Sequence, residues 1–267
     1  MSRPDVEKLT DQLLQFLDEE KIVANPNFTE ELYKSGVYSV IDCVFSSMAV
    51  HKTVVVPAIN RFRKNQSLQD IPELKFTSYL EYARADLERP TKERFDEIAS
   101  KDFDYRGVIA GRRKVEVVYD VCQRFVHKGL ETIHDVQALP KGEPFTCESP
   151  GTQGELEKFV MGGIAGVAGY DSPNVKVRGI GLALGAYLVL LLGDETFVKP
   201  DTQLFKVMGR IGRWSPRASN VEDFQLVRQA ISCAAAQRDV TPASLDNALW
   251  AYQSGLQKTA STKVALI

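Results

Sequence analysis

Apolar residues recur at helical spacing along most of the chain. Val6, Leu9, Leu13, Leu14 and Leu17 share one helical face, and a second short helix is predicted over Thr29 to Lys34. Gly36 reads as the break before the next element. From Val37 to Phe62 the residues Val40, Ile41, Val44, Phe45 and Met48 fall on one face, and after His51 a second amphipathic stretch follows that Pro57 begins or kinks. Short helices are expected over Tyr79 to Leu87 and Arg94 to Ile98, separated by Pro90. A longer one is expected over Arg112 to Lys128, with Val115, Val118, Tyr119, Cys122 and Val126 inward. Val221 to Arg238 is amphipathic, and Thr241, Pro242 and Ser244 cap the start of a last helix through Tyr252. Period-two alternation between turn residues is almost absent, so strands are at most minor and the predicted class is all-α.

Between Leu139 and Val175 the composition shifts to Gly, Pro, Ser and Thr, which marks a functional loop or a partly disordered insertion around a helical stretch at Leu156 to Phe159. The tail from Lys258 is polar and expected to fray. A chain of 267 residues, 44% of them apolar, can bury a sizeable core in one or two domains. Its net charge of −2 argues against coating nucleic acid with a basic surface, so any phosphate site must be local and partly built from backbone amides. Cys43, Cys122, Cys147 and Cys233 form no C-x-x-C pair, hence no readable zinc or iron–sulfur site, and neither a metal nor a cofactor is expected. Four isolated thiols and a polar N-terminus without an apolar leader fit a cytoplasmic protein. The longest apolar run, Ile180 to Leu192, is too short to span a bilayer and reads as a buried helix, so no membrane partner is expected.

Within residues 177–212 the sequence V-R-G-I-G-L-A-L-G-A-Y-L-V-L-L-L-G-D-E-T-F-V-K-P-D-T-Q-L-F-K-V-M-G-R-I-G carries the densest chemical signal. A glycine turn opens an apolar helix, and successive backbone N–H groups at such a turn form a phosphate-binding nest. Only glycine lets backbone and ligand approach so closely. After a short loop, the carboxylate of Asp201 heads a second amphipathic run.

That order resembles the helix-hairpin-helix DNA glycosylase superfamily, nearest in character to its monofunctional alkyl-base branch. Val40 to Arg61 looks like that family's first core helix and following turn, and Arg112 to Lys128 is similar to its basic-start helix. The segment T-P-A-S-L-D-N-A-L-W-A-Y-Q-S-G resembles a closing helix. The resemblance covers about residues 36–255 and implies two helical lobes with the active site in the cleft between them. One lobe would be residues 37–200, including the insertion at about 139–175, and the other would combine residues 1–36 with 201–267. It further implies a monomer acting on double-stranded DNA that contains a modified base, and a nucleoid-associated setting.

By that resemblance Asp201 is the catalytic carboxylate, stabilising an oxocarbenium-like transition state and orienting water; read by itself, it is an N-cap. Where bifunctional relatives carry a Schiff-base lysine this chain has Ala183, so lyase activity is not expected. Lys199 is a substitute for that lysine or a surface loop residue. The backbone at Arg178, Gly179, Ile180, Gly181, Leu182 and Ala183 would clasp phosphates, joined by Lys199, Thr202, Lys206 and Arg210; without the resemblance the first group is a tight turn. Lys206, Arg210 and Arg213 form a positive stripe that meets phosphates or is simply solvated. Ser47 and Met48 occupy the turn that would plug the hole left by a flipped base, with Met48 either an apolar wedge or a core residue. Asp42 is a possible second carboxylate facing the base, or a hydrogen-bonded structural one. Tyr38, Tyr170, Tyr187 and Trp214 are candidate pocket aromatics, and the three histidines receive no role. Two rival readings stand beside this one. One is a glycosylase for a bulky hypermodified base in foreign phage DNA, with the insertion reshaping the pocket. The other is a non-catalytic helix-hairpin-helix DNA-binding protein.

Overall fold

The computed structural model describes residues 3–25, 34–68, 73–143, 145–149, 151–170, 176–199 and 201–255. Its architecture is helical. In chain order it contains α1 (Val6–Glu19), α2 (Gly36–Phe45), α3 (Val56–Asn65), α4 (Phe76–Arg84), α5 (Lys92–Glu97), β1 (Val108–Ile109), β2 (Arg112–Arg113), α6 (Lys114–His127), α7 (Ile133–Gln137), α8 (Glu155–Glu157), α9 (Leu182–Leu191), α10 (Thr202–Gly212), α11 (Val221–Gln237) and α12 (Pro242–Gln253). π-Helical segments precede α3 (His51–Val55), follow α5 (Ile98–Asp102) and extend α8 (Lys158–Ile164). The short helix expected over Thr29 to Lys34 falls almost entirely outside the described residues. Among the described residues, no helix is long and apolar enough to cross a membrane.

The chain divides into two compact units. A central unit holds Leu32–Lys141 and Glu155–Leu192, and a terminal unit holds Met1–Glu31, Gly142–Gly154 and Gly193–Ile267. The Gly/Pro-rich insertion is thereby shared, its first part belonging to the terminal unit and its helical part to the central one.

In the central unit α2 is buried along its whole length and packs on α6 and α9. Gly36 is its first residue rather than a break before it, and a Cβ there would run into the ring of Phe76. Phe76 stacks on Phe125 at 4.6 Å, and Phe62 stacks on Phe103 at 4.6 Å, so paired rings fill the core on either side of α4 and α6. α9 has apolar residues all round, and buried polar side chains of α2 tie it in place. Ser39 Oγ donates to Leu191 O at 3.0 Å, and Cys43 Sγ to Leu184 O at 3.1 Å. The Ser39 bond satisfies one of the carbonyls that a helix C-terminus leaves open. The helix expected from Arg112 starts two residues later, since Arg112 and Arg113 pair with Ile109 and Val108 in a two-residue ladder.

In the terminal unit α1 packs on α10 and α11, and α12 packs on both of those. Arg210 lies over the rings of Phe16 at 5.0 Å and Tyr252 at 5.8 Å, joining α10 to α1 and α12. Arg228 of α11 is buried between Phe145 at 4.2 Å and Phe197 at 3.8 Å, so the first part of the insertion is docked on α11. Gln229 adds a side-chain bond to the carbonyl of Thr146 at 3.3 Å.

Candidate functional site

The turn before α9 is built from backbone. Val177 N donates to Ile164 O at 2.9 Å and Ile180 N to Val177 O at 3.1 Å, which folds the chain back on itself. Gly179 sits at φ +106°, a left-handed conformation that favours glycine, with Ile109 against it. Gly181 is the N-cap of α9, and no side-chain cap satisfies the amides of the first turn. Arg178 and Gly181 are exposed, Gly179, Leu182 and Ala183 are half-buried, and Ile180 is buried. Ile180 therefore contributes an anchor to the core, and what this turn offers a ligand is its backbone and Arg178.

A second feature of the central unit follows α2. Met48 stands at φ +55° and is fully exposed at 104% of its reference surface. The helical periodicity that places it on the core face fails because the helix ends at Phe45 and the chain turns. Lys114, only 3% exposed, holds this turn from below. Its Nζ donates to Phe45 O at 2.9 Å, to Tyr105 Oη at 2.9 Å and to Ser47 O. Burial pushes the Lys114 ammonium down to about 8. Ser47 thus serves the turn through its backbone carbonyl, and Met48 is displayed at its apex.

Asp42 lies one turn back along α2 and is 1% exposed. Its Oδ1 accepts from Ser46 Oγ at 2.9 Å and Tyr187 Oη at 3.0 Å, and its Oδ2 pairs with His51 Nε2 at 2.7 Å. Burial, followed by the nearby Asp42 charge, raises Tyr187 well above the usual tyrosine range, so its hydroxyl stays a donor. The expectation that Asp42 itself faces a base is corrected: both oxygens are occupied inside the unit by Ser46, Tyr187 and His51, the His51 side chain being 41% exposed.

In the terminal unit Asp201 is the N-cap of α10. Its Oδ1 accepts from Gln203 N at 2.8 Å and Leu204 N at 3.0 Å, and the residue is half-buried. Pro200 lies outside the described residues. The loop leading to Asp201 is braced by Asp246 of α12, 5% exposed, whose Oδ2 accepts from Lys199 N at 2.6 Å. Desolvation raises the Asp246 carboxyl to about 7, opposed by that backbone bond and reinforced by the charge of Asp201. Thr202 and Lys206 are exposed on the first turns of α10. Arg210 is exposed too, with its guanidinium over the rings of Phe16 and Tyr252. Arg213, left-handed at φ +51°, caps the far end of α10 beside a cavity of about 530 Å³ lined by Arg3, Trp214, Arg217 and Asp223.

Of the candidate aromatics, Tyr38 is buried with Arg63 over its ring at 5.4 Å, and Tyr170 is buried with its hydroxyl on Glu157 at 3.0 Å. Both are core residues. The structure brings Asp42, Ser47, Met48 and the Gly179–Gly181 turn into one unit, and Lys199, Asp201, Thr202, Lys206 and Arg210 into the other. His51, Lys114 and Asp246 were not singled out by the sequence pattern. A lysine opening a helix and an aspartate inside one look like solvated charges until their burial is known. Among the described residues, no group of three His, Cys, Asp or Glu side chains could hold a metal ion.

Neither curated proteins nor solved structures show a match to the chain. A family model described as a domain of unknown function (DUF8548) matches residues 7–254, and the chain belongs to that family.

Proposed function

We propose that the protein is a monofunctional DNA glycosylase that flips a modified base out of duplex DNA and hydrolyses its N-glycosidic bond, leaving an abasic site. The observation that carries this reading is Met48. A wholly exposed, unbranched apolar side chain sits on a left-handed turn that a buried lysine holds fixed. Met48 is the most exposed large apolar side chain among the described residues, and a wedge entering a base stack needs an apolar tip on a rigid mount. The turn of Arg178, Gly179 and Gly181, with uncapped helix amides behind it, supplies phosphate donors of the kind a protein without a basic surface requires.

Asp201 carries the chemistry in this proposal. Breaking the bond from C1′ to the base leaves positive charge on the sugar, which a carboxylate stabilises while it orients and deprotonates the attacking water. One Asp201 oxygen is committed to the amides of Gln203 and Leu204, which keeps the side chain in a single orientation. Ala183 stands where bifunctional relatives carry their lysine, so the product is an intact abasic strand. The setting would be nucleoid-associated, in repair or in defence against foreign DNA.

A second reading, a non-catalytic DNA-binding protein, is favoured by the capping role that Asp201 fills without any chemistry. Base release from duplexes carrying alkylated, deaminated, oxidised or hypermodified bases separates the two. Strand breaks that require alkali support a monofunctional glycosylase and name its base class. Binding without release from any duplex supports the binder.

A further inference from the structure

Asp42 has no route to a ligand: it is 1% exposed, and Ser46, Tyr187 and His51 occupy its oxygens. His51 is the partner that carries a second ring nitrogen. Its Nε2 is paired with Asp42 Oδ2 at 2.7 Å, its side chain is 41% exposed, and Nδ1 is the ring nitrogen outside that pair. A buried carboxylate bound to one imidazole nitrogen fixes both the ring's orientation and the site of its mobile proton. His51 follows Met48 by three positions on the same segment, whose preceding turn is anchored by Lys114.

We propose that His51 is the acid that protonates the departing base, with Asp42 as the positioning residue behind it; this role rests on the glycosylase reading. When the bond between C1′ and the base nitrogen breaks, its electron pair stays with the base, and an unprotonated base is a poor leaving group. The imidazolium gives its Nδ1 proton to the base and becomes neutral. Water adds to C1′ and loses a proton to solvent, and exchange with solvent reprotonates His51. DNA and one water become an abasic strand and the free, protonated base, with no oxidant, reductant or metal ion required. Among the described residues, Asp42 from α2 pairs with His51, Tyr187 from α9 bonds the same carboxylate and the exposed Lys52 follows in sequence, while Lys114 and Tyr105 support the neighbouring turn. Tyr187 keeps its proton, and its hydroxyl is committed to Asp42.

The test is single-turnover base release as a function of pH for wild type, His51→Gln and Asp42→Asn, together with DNA affinity and melting temperature. Gln retains a donor near the Nε2 position and so keeps the Asp42 bond; should that variant melt much lower than wild type, His51→Asn takes its place. The wild-type rate should fall as pH rises through one ionisation. His51→Gln should lose about 10²-fold in rate and lose that limb of the profile, with DNA affinity unchanged. Asp42→Asn should keep the limb but displace it. A His51→Gln enzyme with the wild-type rate and profile overturns this role and leaves the glycosylase reading standing. A wild-type protein that releases no base from any duplex overturns that reading, and this role with it.

Discussion

At the C-terminal end of α2, backbone carbonyls are met by a side chain from another helix, whereas at the N-terminal end of α10 the residue of interest meets the backbone amides itself. Lys114 reaches from α6 to the carbonyls of Phe45 and Ser47, and Met48 beside them is fully exposed. Asp201 caps its own helix, so the chemical role proposed for it would share a side chain with a structural one. The contrast teaches where a substitution can separate function from stability. It is simple at Met48, whose support lies elsewhere, and at Asp201 it requires a replacement that still caps.

Asn is such a replacement, since it caps helices about as well as Asp. Asp201→Asn should therefore leave the melting temperature unchanged while single-turnover base release falls by at least about 10²-fold. A comparable loss of stability would mean that the carboxylate is chiefly a cap.

The next largest effect is expected at the other helix end. Lys114→Met removes the donor from two carbonyls and should lower unfolding stability by about 1–3 kcal/mol in denaturant titrations. Base release should fall with it as the Met48 turn loosens. Little change in stability would show that the carbonyls find other donors and that Lys114 is not the anchor.

Met48→Ala sharpens the comparison from the opposite side. Its stability should stay within about 0.5 kcal/mol of wild type, because the side chain touches nothing that folding needs. Release from duplex DNA should fall about tenfold, with release from single strands spared, since only a duplex has a hole to fill. Equal losses on both substrates would remove the wedge role.

The smallest effect concerns the brace beneath Asp201. The Asp246 carboxyl is raised from its ordinary 3.8 to about 7, so the folded protein binds a proton there between those values that the unfolded chain does not. Its contribution to stability is thus fully present below 3.8 and is lost as pH rises through about 7. Asp246→Asn keeps an acceptor for Lys199 N and cannot titrate. Its melting temperature should fall less than that of wild type between acidic and neutral pH, by a few degrees. Parallel pH dependences would show that Asp246 titrates normally.

Much of the helical framework could be read from sequence because its signals are local. The Leu9, Leu13 and Leu17 face of α1 is buried as its spacing requires, and Asp201 and Thr241 cap the helices they precede. Periodicity misleads at Met48 because it counts residues as though the helix continued, and cannot register a left-handed turn three residues past its end. Asp42 was visible as a carboxylate, but beyond the nearby Ser46 its partners sit 9 positions away on a π-helical segment and 145 away on α9, distances that only the tertiary fold spans. Arg210 is exposed, as a solvated stripe requires, while its contacts with Phe16 and Tyr252 from two other helices have no local signal. The shared failure is of long-range pairing: burial decides whether a charge is a surface feature, an anchor or part of a site.

The measurement that goes most directly to the centre is release of a modified base by the wild-type protein and by Asp201→Asn, scored with and without alkali on the same labelled duplexes. The glycosylase proposal predicts an abasic strand that breaks only after alkali, formed by wild type and lost in the mutant, with both proteins folded and binding DNA alike. Binding by both proteins with no base released from any duplex would contradict it.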